Sequence, residues 1–282
     1  MTMKAETPKN LEELKSLLKN IDDNTYFIAG GTDFIIKMRE KGLYNINVID
    51  LSGIEELKYI KEEDNFLKIG ANTTFSEIEY NHTVNKYFKC LRESAEKVGS
   101  TQIRNTATMA GNIANASPAA DSIPALLSLD AKVKTINKFG QENIRELDDV
   151  VIGLEKNNLK LGEIITEILV PLKYKEYKTS FVKIGSRSTV TISKLSISVS
   201  LKYEDRIKDV KVTIGSLGPK AFRSKIAEEL LEGRAFTNNL LEEFKNVLQK
   251  QVDLSIPTRQ SRPYKREAIR GLAENVFRNI FE

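Results

Sequence analysis

Hydrophobic positions change their spacing several times along the chain, and the changes separate it into stretches of different character. Leu11, Leu14, Leu17 and Leu18 share one face at helical spacing, with Asn10 and Glu13 as a capping pair, so residues 10–20 read as an amphipathic helix. Short apolar runs over 26–29 and 48–51 predict strands, with a helix over 33–41 between them, closed by Gly42. Apolar runs at 57–60 and 66–69 flank Glu63-Asp64-Asn65 and predict a hairpin. Thr74 and Glu77 form a capping box for a short helix. A longer helix over 84–98 should end at Gly99. Asp121 is the expected N-cap of a helix reaching Leu129, with Pro124 tolerated in its first turn. Strands are expected around 132–136, 143–146 and 164–170.

After Pro171 the pattern changes again. Residues 180–184 read as a strand. Leu195, Ile197, Val199, Leu201 and Tyr203 alternate strictly with polar residues, as a half-buried strand does. Glu204-Asp205-Arg206 makes the turn, and Val210, Val212 and Ile214 alternate on the return. Helices are expected over 222–232, 240–252 and 264–281. Strands followed by helices predict an antiparallel sheet covered by helices on one face.

Composition narrows the function classes. The 282 residues suffice for one large or two ordinary domains. The 43 basic and 39 acidic residues nearly cancel to +4, which describes a mixed, solvated surface and no nucleic-acid footprint. The first residues carry no apolar signal core, and no stretch is long enough to span a bilayer, so a cytoplasmic protein without membrane insertion is expected. Cys90 is the single cysteine and His82 the single histidine. Neither an intrachain disulfide nor an iron–sulfur or zinc site of the usual kinds can be built from them. Cys90 lies in a helical pattern and reads as a buried structural thiol, His82 as a surface or capping residue. Ser-His-Asp and Cys-His mechanisms therefore have little to work with.

The candidate chemistry sits in two small-residue loops, about eighty residues apart. The first is Ala29-Gly30-Gly31-Thr32-Asp33, between a predicted strand and helix. Gly30 and Gly31 let an anion lie against the backbone, and Thr32 adds a hydroxyl. A carboxylate repels phosphate, so Asp33 reads as a helix cap or a ribose partner. The loop is neither the G-x-G-x-x-G fingerprint nor a P-loop. The second runs from Thr108 to Asp121. Ala110-Gly111-Asn112 allows close approach, with Gly111 expected at positive φ. Thr108, Asn112, Asn115 and Ser117 supply donors and acceptors, and Asp121 can accept bonds from a ring edge or a ribose. Together the loops suggest a pyrophosphate held between two segments. A plain strand–helix turn and a small-residue packing segment are the readings that need no ligand.

These loops also carry a resemblance. The chain resembles the FAD-binding subunit of the xanthine dehydrogenase family of molybdenum hydroxylases, of the carbon monoxide dehydrogenase medium-subunit type. The first loop is similar to that family's Ala-Gly-Gly-Thr-Asp, and the second to Thr-hydrophobic-Gly-Gly-Asn-Ile followed by Ala-Ser-Pro-x-x-Asp. Further matching runs are residues 162–168 with Pro171, 181–187, 215–219 with Arg223, and 262–266. The resemblance implies an α+β fold. A two-part FAD-binding domain of the vanillyl-alcohol-oxidase type would span 1–172, its parts about 1–53 and 54–172. A small antiparallel-sheet-plus-helices domain would span 178–282.

By the same resemblance, Phe27, Ile28, Ala29, Gly30, Gly31, Thr32, Asp33 and Phe34 would line the pyrophosphate and adenosine side. Thr108, Met109, Ala110, Gly111 and Asn112 would form the second wall, with Gly99 close by. Ala114, Ser117 and Asp121 would complete it. Ile165 would pack on the flavin region. Lys183 would sit near the isoalloxazine, where a cation stabilises the anionic reduced ring. Ala110 departs from the family's first glycine and would tighten the pocket. The implied function is electron transfer through FAD, with no catalytic acid or base on this chain. Electrons would come from [2Fe–2S] clusters on an iron–sulfur subunit, fed by a molybdopterin-binding subunit, and pass to NAD+ or another acceptor. Such a heterotrimer would hydroxylate a purine or another heterocycle, or oxidise a related carbon centre. The alternatives are a stand-alone FAD-dependent oxidoreductase of the same fold and a non-enzymatic nucleotide-binding protein.

Overall fold

The computed structural model describes residues 4–187 and 190–282. Met1, Thr2 and Met3, read above as part of a terminus without a signal core, lie outside the described residues. β1 (Lys4–Glu6), α1 (Leu11–Leu18), β2 (Thr25–Ile28), α2 (Phe34–Glu40) and β3 (Asn47–Asp50) make a first unit around a parallel sheet ordered β1-β3-β2. The capping pair forms as expected: Asn10 Oδ1 accepts from Glu13 N at 2.8 Å, and the Glu13 carboxylate accepts from Lys9 N at 2.8 Å. Gly42 closes α2 at φ +63°.

The hairpin β4 (Ile60–Glu63) and β5 (Phe66–Gly70) turns through Asp64 and Asn65, at φ 51° and 63°. Its first strand starts three residues later than expected. Leu57 ends a 3₁₀ turn over Glu55–Leu57 with its side chain buried, and its carbonyl accepts from Asn72 N, so it is not available to pair in the hairpin. The Thr74–Glu77 capping box opens α3 (Phe75–Tyr80). The expected helix over 84–98 is two helices, α4 (His82–Tyr87) and α5 (Lys89–Glu96). The break is at Phe88, at φ −124° and ψ 57°, which turns its ring fully into the core. Asn81 caps α4 by accepting from Val84 N, so His82 does not cap it. Cys90 is fully buried, and burial pushes its thiol up to about 12, which leaves it unreactive.

α6 (Thr101–Arg104), α7 (Met109–Asn115), α8 (Ser122–Ser128), β6 (Lys132–Ile136), β7 (Glu142–Glu146), α9 (Leu147–Val150), β8 (Val151–Gly153), β9 (Lys156–Asn157) and β10 (Ile164–Pro171) complete the N-terminal body. β10 runs between β5 and β6 in a five-stranded antiparallel sheet ordered β4-β5-β10-β6-β7. One hydrophobic core runs through this body from Leu14 to Tyr177 and takes in Phe181 and Ala221 from beyond it.

The C-terminal body is the antiparallel sheet β11 (Lys178–Ile184), β12 (Leu195–Tyr203), β13 (Ile207–Gly215) and β14 (Phe222–Arg223), followed by α10 (Lys225–Leu231), α11 (Asn238–Ser255) and α12 (Arg262–Phe281). Phe222 and Arg223, expected to begin a helix, pair with β13 instead. Leu195, Ile197, Val199 and Leu201 join a second core with helix residues such as Phe244, Leu248, Val276 and Phe277.

The other face of this sheet corrects the expectation of a half-exposed surface. Ser196, Ser198 and Ser200 are buried too, against α5 and α8 of the N-terminal body. Ser198 Oγ lies 2.9 Å from Ser128 Oγ, Ser200 Oγ donates to Ser128 O, and Thr213 Oγ1 donates to Pro124 O at 2.7 Å. Glu93 accepts from Ser180 Oγ and Phe181 N. Hydroxyls paired with carbonyls and carboxylates can be buried at little cost, so an alternating strand covers both faces. Among the described residues, no helix is long and apolar enough to cross a membrane.

Candidate functional site

The loop after β2 and the loop before α7 meet, and the first glycine is what lets them. A Cβ built on Gly30 would collide with the backbone carbonyl of Thr106 and come within 2.9 Å of Ala107 Cα. Close approach at Gly30 therefore serves the contact between the two loops. Gly31 carries the strained conformation, at φ +65°. The amides of Gly30, Gly31 and Thr32 donate to no group among the described residues. Ala110 N likewise has no acceptor among the described residues at the start of α7. Thr108 caps α7 by accepting from Gly111 N at 3.1 Å. Gly111 does not have positive φ, contrary to expectation. It is inside the first turn of α7, where a Cβ would meet Thr108 Oγ1 at 2.9 Å. The helical backbone also accommodates Ala110, which is almost wholly buried.

Between the loops, the 157–165 segment and residues 187 and 190–192 lies a cavity of about 860 Å³. Every expected site residue lines it except Met109 and Lys183. Met109 is in the same part of α7, but its side chain is fully inside the N-terminal core. Phe27, Ile28, Ala29, Gly30, Gly31, Thr32, Asp33 and Phe34 form one wall; Gly99, Thr108, Ala110, Gly111, Asn112, Ala114, Ser117 and Asp121 form another; Ile165 contributes from β10.

The charged residues here have partners the sequence does not specify. Asp33 accepts no cap hydrogen bond and pairs with Lys37 at 3.0 Å. Lys37 also reaches Asn115 Oδ1 at 2.7 Å and Glu155 at 3.3 Å, so it ties α2 to the end of α7. Burial works against its charge, and the two carboxylates more than offset it and raise its pKa. Asp121 is at the expected helix start but makes no cap bond either. Its Oδ2 is 2.5 Å from Lys183 Nζ and its Oδ1 accepts from Ser193 Oγ at 2.5 Å. Burial raises the Asp121 carboxyl, and the ammonium beside it opposes that shift. Lys183 spends its other donors on Lys97 O at 2.8 Å and Thr191 O at 3.0 Å. All three ammonium donors are thus used within the protein.

Several lining residues were not anticipated. Lys37 had a signal, its i,i+4 relation to Asp33. Gly162 and Glu163 had one too, in the matching run 162–168, whereas Asn72 and the wall over 157–161 had none. Asn157 Nδ2 donates to Ala114 O at 2.7 Å and fastens that wall to α7. Glu163 anchors its other end, accepting from Lys160 N at 3.0 Å, Thr135 Oγ1 at 2.8 Å and Arg145 at 3.1 Å. Burial opposes the Glu163 charge, but these donors hold its carboxyl below the ordinary range. A depressed acid contributes stability above its unfolded pKa, about 4.3, and loses it as pH falls through the folded value. Glu163→Gln should therefore be less stable than wild type by about 1–3 kcal/mol at pH 7. Urea unfolding should show that gap closing below pH 4. Equal stability at pH 7 would show that the carboxylate does not brace the wall.

The cavity's dimensions, its small-residue walls and its unpaired loop amides fit a dinucleotide with a pyrophosphate. Comparison with known proteins agrees. Residues 1–173 match the family described as the FAD binding domain in molybdopterin dehydrogenase, and 180–280 match the CO dehydrogenase flavoprotein C-terminal domain. The nicotinate dehydrogenase FAD-subunit of Eubacterium barkeri is 31% identical over 98% of this chain and 95% of its own length. The glyceraldehyde dehydrogenase medium chain of Sulfolobus acidocaldarius is 28% identical, covering 95% of this chain and 96% of its own. The fold matches that of carbon monoxide dehydrogenase from Hydrogenophaga pseudoflava with a TM-score of 0.89 at 22% identity, over 100% of this chain and 98% of that one. An α+β chain with a two-loop dinucleotide cavity, matched along nearly its whole length, belongs to the FAD-binding medium subunits of the molybdenum hydroxylases.

Proposed function

We propose that this chain carries electrons between an iron–sulfur partner subunit and a soluble acceptor such as NAD+, within a complex whose substrate is hydroxylated on a molybdopterin subunit. The observation that carries this reading is the state of the carboxylates lining the cavity. Asp33 is paired with Lys37, Asp121 with Lys183, and Glu163 with Arg145. His82 and Cys90 do not line it. A stand-alone oxidase or dehydrogenase needs a free acid or base over its flavin; these residues are already engaged. Bound FAD supplies the redox chemistry. The chain's own residues supply loop amides for the pyrophosphate, apolar contact from Ile165, and a C-terminal body joined to the seam at Lys183.

The relatives' names point to different substrates, nicotinate in one and glyceraldehyde in another. A heterocycle remains our reading for this complex, purines included, since nicotinate is the substrate named for a 31% identical relative.

The test is purification of the tagged chain from its own cells. The expected preparation is yellow and contains molybdenum and iron on copurifying chains. The isolated subunit should reduce a dye with NADH and hydroxylate no heterocycle. Hydroxylation by a pure subunit free of molybdenum and iron would overturn the proposal in favour of the stand-alone oxidoreductase. A colourless preparation that cannot be reconstituted with FAD would favour a nucleotide-binding protein.

A further inference from the structure

Among the described residues, one buried side-chain atom has no hydrogen-bond partner: Oδ1 of Asn72. Asn72 is 7% exposed and lines the cavity. Its orientation is settled by its other end. Nδ2 donates to Leu51 O at 2.6 Å and Ile54 O at 3.1 Å. Both are carbonyls and can only accept, so the amide cannot be reversed. Native interiors seldom leave such an acceptor unpaired without a ligand or a water to fill the need.

The position of Asn72 says what the ligand group is. The chain leads from Asn72 into Thr74, which is bridged to Thr108, and Phe75 N donates to Ala107 O at 3.0 Å. Ala107 belongs to the backbone against which Gly30 packs. Asn72 therefore lies beside the junction of the two loops, where a pyrophosphate would be held. It cannot serve a phosphate oxygen, because both are acceptors. In a dinucleotide, the donors flanking the pyrophosphate are sugar hydroxyls.

We propose that Asn72 Oδ1 accepts a hydrogen bond from a sugar hydroxyl of FAD, on the ribityl chain or the ribose. Asn72 is then a cofactor-binding residue. The inference rests on the FAD reading above.

The test measures dissociation constants of the apo chain for FAD and for analogues each lacking one ribityl or ribose hydroxyl. For wild type, one analogue should bind roughly tenfold more weakly than FAD. For Asn72→Ala, FAD itself should weaken by a similar factor, and that analogue should bind no worse than FAD. A general loss of affinity in the variant is not the readout, because the substitution also frees the Leu51 and Ile54 carbonyls. The lost discrimination is. If Asn72→Ala does not fold, Asn72→Ser takes its place, and the wild-type analogue series still decides. The hydroxyl whose removal matters identifies ribityl or ribose. Discrimination under twofold at every hydroxyl would overturn the inference and leave a trapped water as the partner. A wild-type chain that binds no FAD would instead overturn the reading beneath it.

Discussion

Gly30→Ala should fold and lose its FAD. The added methyl group meets the Thr106 carbonyl and Ala107 Cα, both backbone atoms, so no side chain can move aside. The loop after β2 must retreat from the loop before α7, and the two walls separate. Overpacking of this kind costs about 1–3 kcal/mol of stability. The loss in affinity should be larger, on the order of 100-fold, because both walls move at once. Gly31→Ala is the informative control. Gly31 has the positive φ, yet its Cβ would meet only Ile35 Cγ1, at 3.4 Å. Its cost should stay near 1 kcal/mol. The flavin-to-protein absorbance ratio after gel filtration should therefore fall much further for Gly30→Ala. A normal ratio in that variant would show that the loop contact does not shape the site.

Lys183→Met should have the second large effect, and its character has changed with the structure. Proximity to the isoalloxazine would make it a variant with bound FAD and a shifted midpoint potential. The structure adds a second role: Lys183 is the buried partner of Asp121 at the junction of β11, the end of α5 and the start of α8. Removing one member of such a pair strands the other, at a cost of about 3–5 kcal/mol. For a body of this size that lowers the melting temperature by roughly 10 °C. Lys183→Met combined with Asp121→Asn should recover part of the loss, because no uncompensated carboxylate remains. A single variant as stable as wild type, with only its potential shifted, would show that Lys183 acts on the flavin and that the ion pair is not what the fold needs.

Local pattern made much of this chain legible. Asn10 with Glu13, Thr74 with Glu77, and the Asp64–Asn65 turn act between neighbours in sequence, and all three form. The strict alternation in β12 and β13 was legible for the same reason. The two loops stood out by composition, and family resemblance turned them into an FAD site. Elements whose form depends on distant contacts were less legible. Phe88 breaks a helical pattern because its ring enters the core. Leu57 leaves the hairpin because its carbonyl is taken by Asn72 N.

The sequence by itself determined the elements, the α+β class and the positions of both loops, because capping, turn formation and hydrophobic period depend on residues a few places apart. Only the tertiary structure decided what the polar residues meet. The serines of β12 read as the open face of a half-buried strand, and burial against α8 corrects that. Asp121 read as a cap and is the partner of Lys183, 62 residues away. Gly30 read as room for a phosphate, and the fold also needs it as room for residues 106–107. A polar side chain's partner is chosen by three-dimensional proximity and by the cost of leaving it unpaired once water is gone, and neither is written in local order.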